Sequence, residues 1–191
     1  MKLTVSMLLL AATLSAQVPA ASWLDRPLSN WNAPNRAVEK SATSGHKIAD
    51  TAKRCTLPTR RETPGERALA DSGWLPFHVF DKAIAERDVE IIGGLSDADG
   101  MCRPMGFNVF VFVGGKFAGT LSPVNMNSRT DGSVAGGIRL AADDSIAAEF
   151  ARYTDKDALC CPSARVRVRY RIDRTGATPI VAPGSAQAVP Q

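Results

Sequence analysis

The segment Phe107–Val113 (FNVFVFV), followed by Gly114-Gly115 and then Lys116–Leu121, constrains the fold more than any other stretch of the chain. A seven-residue apolar run rich in valine and phenylalanine is short for a buried helix. It reads as a central strand covered on both faces. Two strand-like runs joined by Gly-Gly predict a tight hairpin, because a two-residue turn of this kind needs positive φ at its central positions.

A second run, Arg165–Asp173 (RVRVRYRID), alternates with period two. Successive side chains of a strand point to opposite faces, so Arg165, Arg167, Arg169 and Arg171 line one face and Val166, Val168, Tyr170 and Ile172 the other. Val89–Ile92 and Ser133–Leu140 are further strand candidates, and Ser145–Tyr153 fits either a strand or a helix, the alternation of Ile146, Ala148 and Phe150 favouring the strand. Helices are expected earlier in the chain. Thr63-Pro64-Gly65-Glu66 has a capping residue, a proline at the first helical position and an acid in the first turn, and the helix should stop at Gly73. A second helix is expected over Pro76–Arg87, because Phe77, Phe80, Ala83 and Ile84 recur at spacings of three and four. Helices followed by a run of strands give an α+β fold, with a mainly antiparallel sheet packed against two short N-terminal helices.

The N-terminus has the form of a secretory leader. Lys2 precedes an uncharged Leu/Ala-rich stretch, Leu3–Ala16, and Val18-Pro19-Ala20-Ala21 supplies small residues for cleavage. The expected organisation is a signal peptide over 1–21, a flexible arm or linker over 22–54, one domain over 55–174 and a disordered tail over 175–191. The arm is rich in Ser, Asn and Pro without periodicity, and the tail in Pro, Ala and Gly. The first cysteine is Cys55, far from the apolar stretch, so the mature product is expected to be soluble, periplasmic or secreted.

In an exported chain the four cysteines, Cys55, Cys102, Cys160 and Cys161, point to two disulfides. A bridge between the neighbours Cys160 and Cys161 is disfavoured by the short connecting peptide. The expectation is that one of them joins Cys55 and the other Cys102, in either combination. Neither a zinc site nor a thiol oxidoreductase is indicated, since no CxxC pair is present.

Composition narrows the function. Loss of Lys2 with the leader leaves 22 basic against 19 acidic residues, an excess too small for a dedicated nucleic-acid binder. The two histidines, His46 and His78, offer little to a hydrolase, and no G-x-S-x-G elbow is present. Asp97-x-Asp99-Gly100 starts like a calcium loop but has Met101 at the fifth position and Asn108 at the twelfth, so it reads as a turn. The aromatics Trp74, Phe77, Phe80, Phe107, Phe110 and Phe112 are expected in the core.

The segments Trp74–Cys102, Phe107–Pro123 and Asp157–Asp173 resemble the LppP/LprE lipoprotein family. The Cys160-Cys161-Pro162-Ser163 step, followed by the Arg/Val strand, is the most specific part of that likeness. The resemblance implies an exported, envelope-associated protein without established enzymatic activity, and supplies no catalytic residues. The chain is therefore expected to be a non-catalytic binding or structural module without cofactor or metal. Its contact surface would be Arg165, Arg167, Arg169 and Arg171, and its partners anionic envelope components. The alternative expectation is an inhibitor or accessory factor that binds another exported protein.

Overall fold

The computed structural model describes residues 22–59, 61–79 and 84–190; the leader expected over residues 1–21 lies outside them. The predicted hairpin forms as β6 (Asn108–Val113) and β7 (Lys116–Thr120), with Val113 opposite Lys116. Gly114 and Gly115 turn the chain at φ +56° and +74°, a region in which a Cβ would be strained. β6 is buried along its whole length. It pairs antiparallel with β3 (Val89–Leu95), which on its other side carries β1 (Leu75–Phe77) and β2 (Ile84–Glu86).

β1 and β2 replace the second helix expected over Pro76–Arg87; Phe80 and its neighbours 81–83 lie outside the described residues. Of the residues that carry the helical spacing, Phe77 lies in β1 and Ile84 in β2. Gly93 makes the β1 pairing possible, since a Cβ there would lie 2.6 Å from the Phe77 ring.

A second antiparallel sheet runs β11-β10-β9-β8, from β8 (Arg139–Leu140), β9 (Ser145–Arg152), β10 (Ala164–Asp173) and β11 (Ile180–Ala188). β11 overturns the expectation of a disordered tail over 175–191. It pairs with β10 from Ile180 to Ala188, and a bulge between Arg169 and Tyr170 takes up the irregularity at Pro183-Gly184. An edge strand with a bulge tolerates a proline that a central strand would reject. A two-stranded ribbon, β4 (Asp97–Ala98) with β5 (Pro104–Met105), completes the strands.

The main core lies between the two sheets. Val109, Val111 and Val113 of β6, with Val89 and Ile91 of β3, meet Ile146, Ala148 and Phe150 of β9 and Val168, Tyr170 and Ile172 of β10. The Tyr170 hydroxyl donates to Leu121 O at 2.5 Å, and burial pushes its pKa well above the ordinary tyrosine range. The opposite face of β6 carries Phe110 and Phe112, which pack with Ile92 and Trp74 against Leu69 of α2 (Pro64–Asp71). That helix starts as expected: Thr63 Oγ1 accepts from Glu66 N, and the Glu66 carboxylate accepts from Thr63 N.

The segment 22–54 is part of this body, not a loose arm. Trp23 Nε1 donates to Gly132 O, and its ring meets Phe150 edge-on at 4.9 Å. Trp31 Nε1 donates to Thr120 O. Asn32 ties the edges of the two sheets together: its Nδ2 donates to Thr120 O and Val181 O, and its Oδ1 accepts from Thr120 N. α1 (Gly45–Arg54) follows the Ser44 cap and is anchored by Arg54, which donates to the carbonyls of Ala98 and Asp99.

That anchoring decides the cysteine pairing. It brings the end of α1 against the turn after β4, and Cys55 joins Cys102 there across 5.4 Å between Cα atoms. Cys160 and Cys161 sit in the exposed turn after β9 and are bonded to each other. The expectation that each would clamp a distant segment is overturned, because Cys55 and Cys102 have already found one another.

Candidate functional site

β10 places its side chains as its alternation requires. Val168, Tyr170 and Ile172 are buried, whereas Arg165, Arg169 and Arg171 are exposed and Arg167 is half-buried. The outer face of this sheet therefore carries all four arginines of the predicted ladder. Their neighbours on the flanking strands are mostly small. Arg169 lies between Ala147 and Ser185, Arg171 between Ser145 and Ala182, and Arg167 between Glu149 and Gln187. Small neighbours leave the guanidinium groups standing clear of the sheet.

A fifth arginine joins them. Arg139 of β8 is opposite Ala147, which is in turn opposite Arg169, so Arg139 continues the same row across the sheet. Sequence reasoning missed it because β8 is only two residues long, and Gly136-Gly137 hides its period. The acid within the arginine rows that binds them is Glu149. Its carboxylate accepts from Arg167 at 2.6 Å and lies 3.8 Å from Arg165.

Among the described residues, the acids in these cross-strand rows are Glu149 and Asp173, which follows Arg171 on the same face of β10, set against five arginines. Asp143 and Asp173 lie near the rim. A hydrogen bond from the Ser145 hydroxyl holds Asp143 below the usual carboxylate range, with a smaller contribution from Arg169. A hydrogen bond from the Thr175 hydroxyl does the same for Asp173, again with a smaller contribution from Arg171. Among the described residues, Arg139, Arg169 and Arg171 make no salt bridge. A concavity of about 220 Å³ opens among Arg139, Ala147, Glu149, Arg167 and Arg169. It is smaller than a site for a drug-sized ligand and of a scale suited to one phosphate or carboxylate group. Arginine forks bind either group in two-point fashion.

The other candidates fall elsewhere. His46 is exposed on α1 and pairs with Asp50 at 3.3 Å. His78 is half-buried beside β1 and lines none of the crevices around β10. Asp97 and Ala98 form β4, and the turn that follows is held by Asp99 Oδ1, which accepts from Met101 N and Arg103 N. Trp74, Phe107, Phe110 and Phe112 are buried and Phe77 is half-buried. Trp74 and Phe107 belong to different packing clusters, so they form no shared platform. Among the described residues, no helix is long and apolar enough to cross a membrane.

No curated protein and no solved structure matches the chain. Residues 88–175, from the turn before β3 through β10, match the model of the LppP/LprE lipoprotein family. That span takes in the Cys160-Cys161 step and the whole arginine ladder. The chain is thus similar to the LppP/LprE lipoprotein family over the segment that carries its candidate site.

Proposed function

We propose that the chain is a non-catalytic binding module of the cell envelope, exported by its leader. In this reading it holds anionic envelope components against the outer face of the second sheet. Arg139, Arg165, Arg167, Arg169 and Arg171 make the contacts, and Glu149 sets the spacing of Arg165 and Arg167. The observation that carries the reading is the charge of this outer face: five arginines against two carboxylates, Glu149 and Asp173. Phosphate headgroups are the favoured ligands, since an exposed sheet presenting several guanidinium groups matches an anionic lipid surface.

The experiment is co-sedimentation of the mature, oxidised protein with phosphatidylglycerol vesicles and with phosphatidylcholine vesicles. It is repeated from about 0.05 to 0.5 M salt, where screening lengths shorten severalfold. A variant carrying Arg165→Ser, Arg167→Ser, Arg169→Ser and Arg171→Ser runs beside it. The reading requires binding to the anionic vesicles alone, lost with salt and lost in the variant. Equal behaviour of the two proteins would overturn it and turn the search to a protein partner.

A further inference from the structure

We infer that the Cys160–Cys161 disulfide is a thiol-exchange site, and that Arg129 and Arg165 recruit to it a small anionic thiol. The inference stands apart from the lipid-surface reading, although Arg165 serves both.

A disulfide stabilises a fold chiefly by shortening the free loop of the unfolded chain, and the effect grows with loop length. The Cys55–Cys102 bridge spans 47 residues and does this. A bridge between neighbours closes no loop of chain. Nor does the turn around it depend on the bond. Asp157 Oδ2 accepts from Thr154 N and Ser163 N, Cys161 N donates to Ala158 O, and the Tyr153 hydroxyl donates to Leu159 O. The bond can therefore open and close while the turn and both sheets stay in place.

Its surroundings favour attack. Both cysteines are exposed, whereas Cys55 and Cys102 are half-buried. Cys160 lines a crevice of about 320 Å³ with Arg103, Arg129, Ser133, Tyr153 and Arg165. Asp99 holds Arg103 at 2.5 Å. Arg129 has no salt bridge among the described residues, and Arg165 has only the Glu149 contact at 3.8 Å. Electropositive, accessible surroundings are what distinguish reactive cysteines from inert ones, because they stabilise thiolate.

The chemistry balances with a low-molecular-weight thiol as the reductant. Its thiolate attacks Sγ of Cys160, the Cys160–Cys161 bond breaks, and Cys161 leaves as thiolate and takes up a proton. A second molecule of the thiol attacks the mixed disulfide at its own sulfur. Cys160 is released, also to be protonated, and the two small thiols depart as their disulfide. The protein gains two thiols and the pair of electrons. The carboxylates of the incoming thiol are what Arg129 and Arg165 would hold.

The test uses the full oxidised protein with glutathione, which is anionic, and cysteamine, which is cationic. Opened cysteines are alkylated and located by peptide mass. Cys160 and Cys161 should be labelled at thiol concentrations that leave Cys55 and Cys102 bonded. The glutathione-to-cysteamine rate ratio should fall about tenfold in a variant carrying Arg129→Ser and Arg165→Ser, as loss of electrostatic recruitment implies. Comparing ratios cancels the intrinsic reactivity of each thiol. An unchanged ratio would overturn the inference. So would opening of Cys55–Cys102 first, or recovery of Cys160 and Cys161 as free thiols from the oxidised protein.

Discussion

Replacing Glu149 by glutamine should tighten binding to an anionic surface, which is the reverse of what loss of a salt-bridge residue usually does. Glu149 is the carboxylate among the arginine rows of the outer sheet that engages Arg167 and Arg165. Its side chain is 17% exposed, with Arg167 at 41% and Arg165 at 48%, so the pair is well solvated on the arginine side. Such pairs contribute about 0–1 kcal/mol to stability, and glutamine keeps an oxygen able to accept from Arg167. Folding should therefore be little affected. Near an anionic membrane, each unit of positive charge contributes about 1 kcal/mol. Removing one negative charge from the face is worth about the same, which is about fivefold in affinity. Glu149→Gln should bind phosphatidylglycerol vesicles about fivefold more tightly than the parent at low salt, with the gain shrinking as salt rises. Arg139→Ser should lose a similar factor. Vesicle titrations at matched protein concentration measure both, with thermal unfolding as the control. Unchanged or weaker binding by a fully folded Glu149→Gln protein would refute the idea that this face touches the surface.

Three further outcomes follow from the same contacts. Asn32→Ala removes three hydrogen bonds between the sheet edges, each worth about 0.5–1.5 kcal/mol. With water reaching the half-buried site, the loss should be about 2 kcal/mol, read as a Tm drop of about 4–8 °C; a drop below about 1 °C would return residues 22–54 to the status of a loose arm. Changing Cys55 and Cys102 to serine should cost about 4 kcal/mol by loop closure, while the same change at Cys160 and Cys161 should leave the urea midpoint almost unmoved; equal losses would contradict the division of labour between the two bridges. Hydrogen bonding to Arg103 lowers the Asp99 pKa to about 2. A group with a depressed folded pKa contributes stability above its unfolded value and loses it as pH falls, so the β4–β5 turn should loosen between about pH 4 and 2. Asp99→Asn should flatten that part of the unfolding profile, and an unaltered profile would mean that Asp99 is not the group responsible.

How much of this was legible depended on whether local pattern and tertiary need agreed. At Phe107–Val113, Arg165–Asp173 and Thr63–Ser72 they agree. The strand periods match the burial, and the capping box supplies the same donors and acceptors that the structure shows. They part at Pro76–Arg87, where Phe77 and Ile84 of the helical spacing lie in two short strands paired one after the other along β3. They part again at both ends of the body. Trp23 and Trp31 have no apolar neighbours in register, because each plugs a gap as a single side chain and does not lie along a face. Pro183-Gly184 reads as a break in any strand, but the bulge in β11 absorbs it. The two isolated tryptophans were the available clue, since a disordered linker seldom keeps large aromatics.

The arginine ladder was visible because period two alone fixes which side chains share a face, and the outer face of an antiparallel sheet often meets water. Exposure by itself therefore argues for nothing. The argument lies in how the two sheets differ. The outer side of the first sheet is closed by α2, with Phe110, Phe112 and Leu69 sealed between them. Among the described residues, α1 and α2 pack against the β4 ribbon and the first sheet rather than against the second sheet, and small residues flank its arginines. A face selected only for solubility would mix lysine with acids across its strands, as surface charge of both signs avoids a one-sided field. Here one sign dominates, and arginine supplies all of it. Arginine is the cation whose planar fork matches phosphate in two places at once, which lysine does not do. Arg→Lys at positions 139, 165, 167, 169 and 171 keeps the charge and removes the fork, so it separates the two explanations. Binding that survives it reports a field alone, and binding that falls reports the ladder holding phosphate groups one by one.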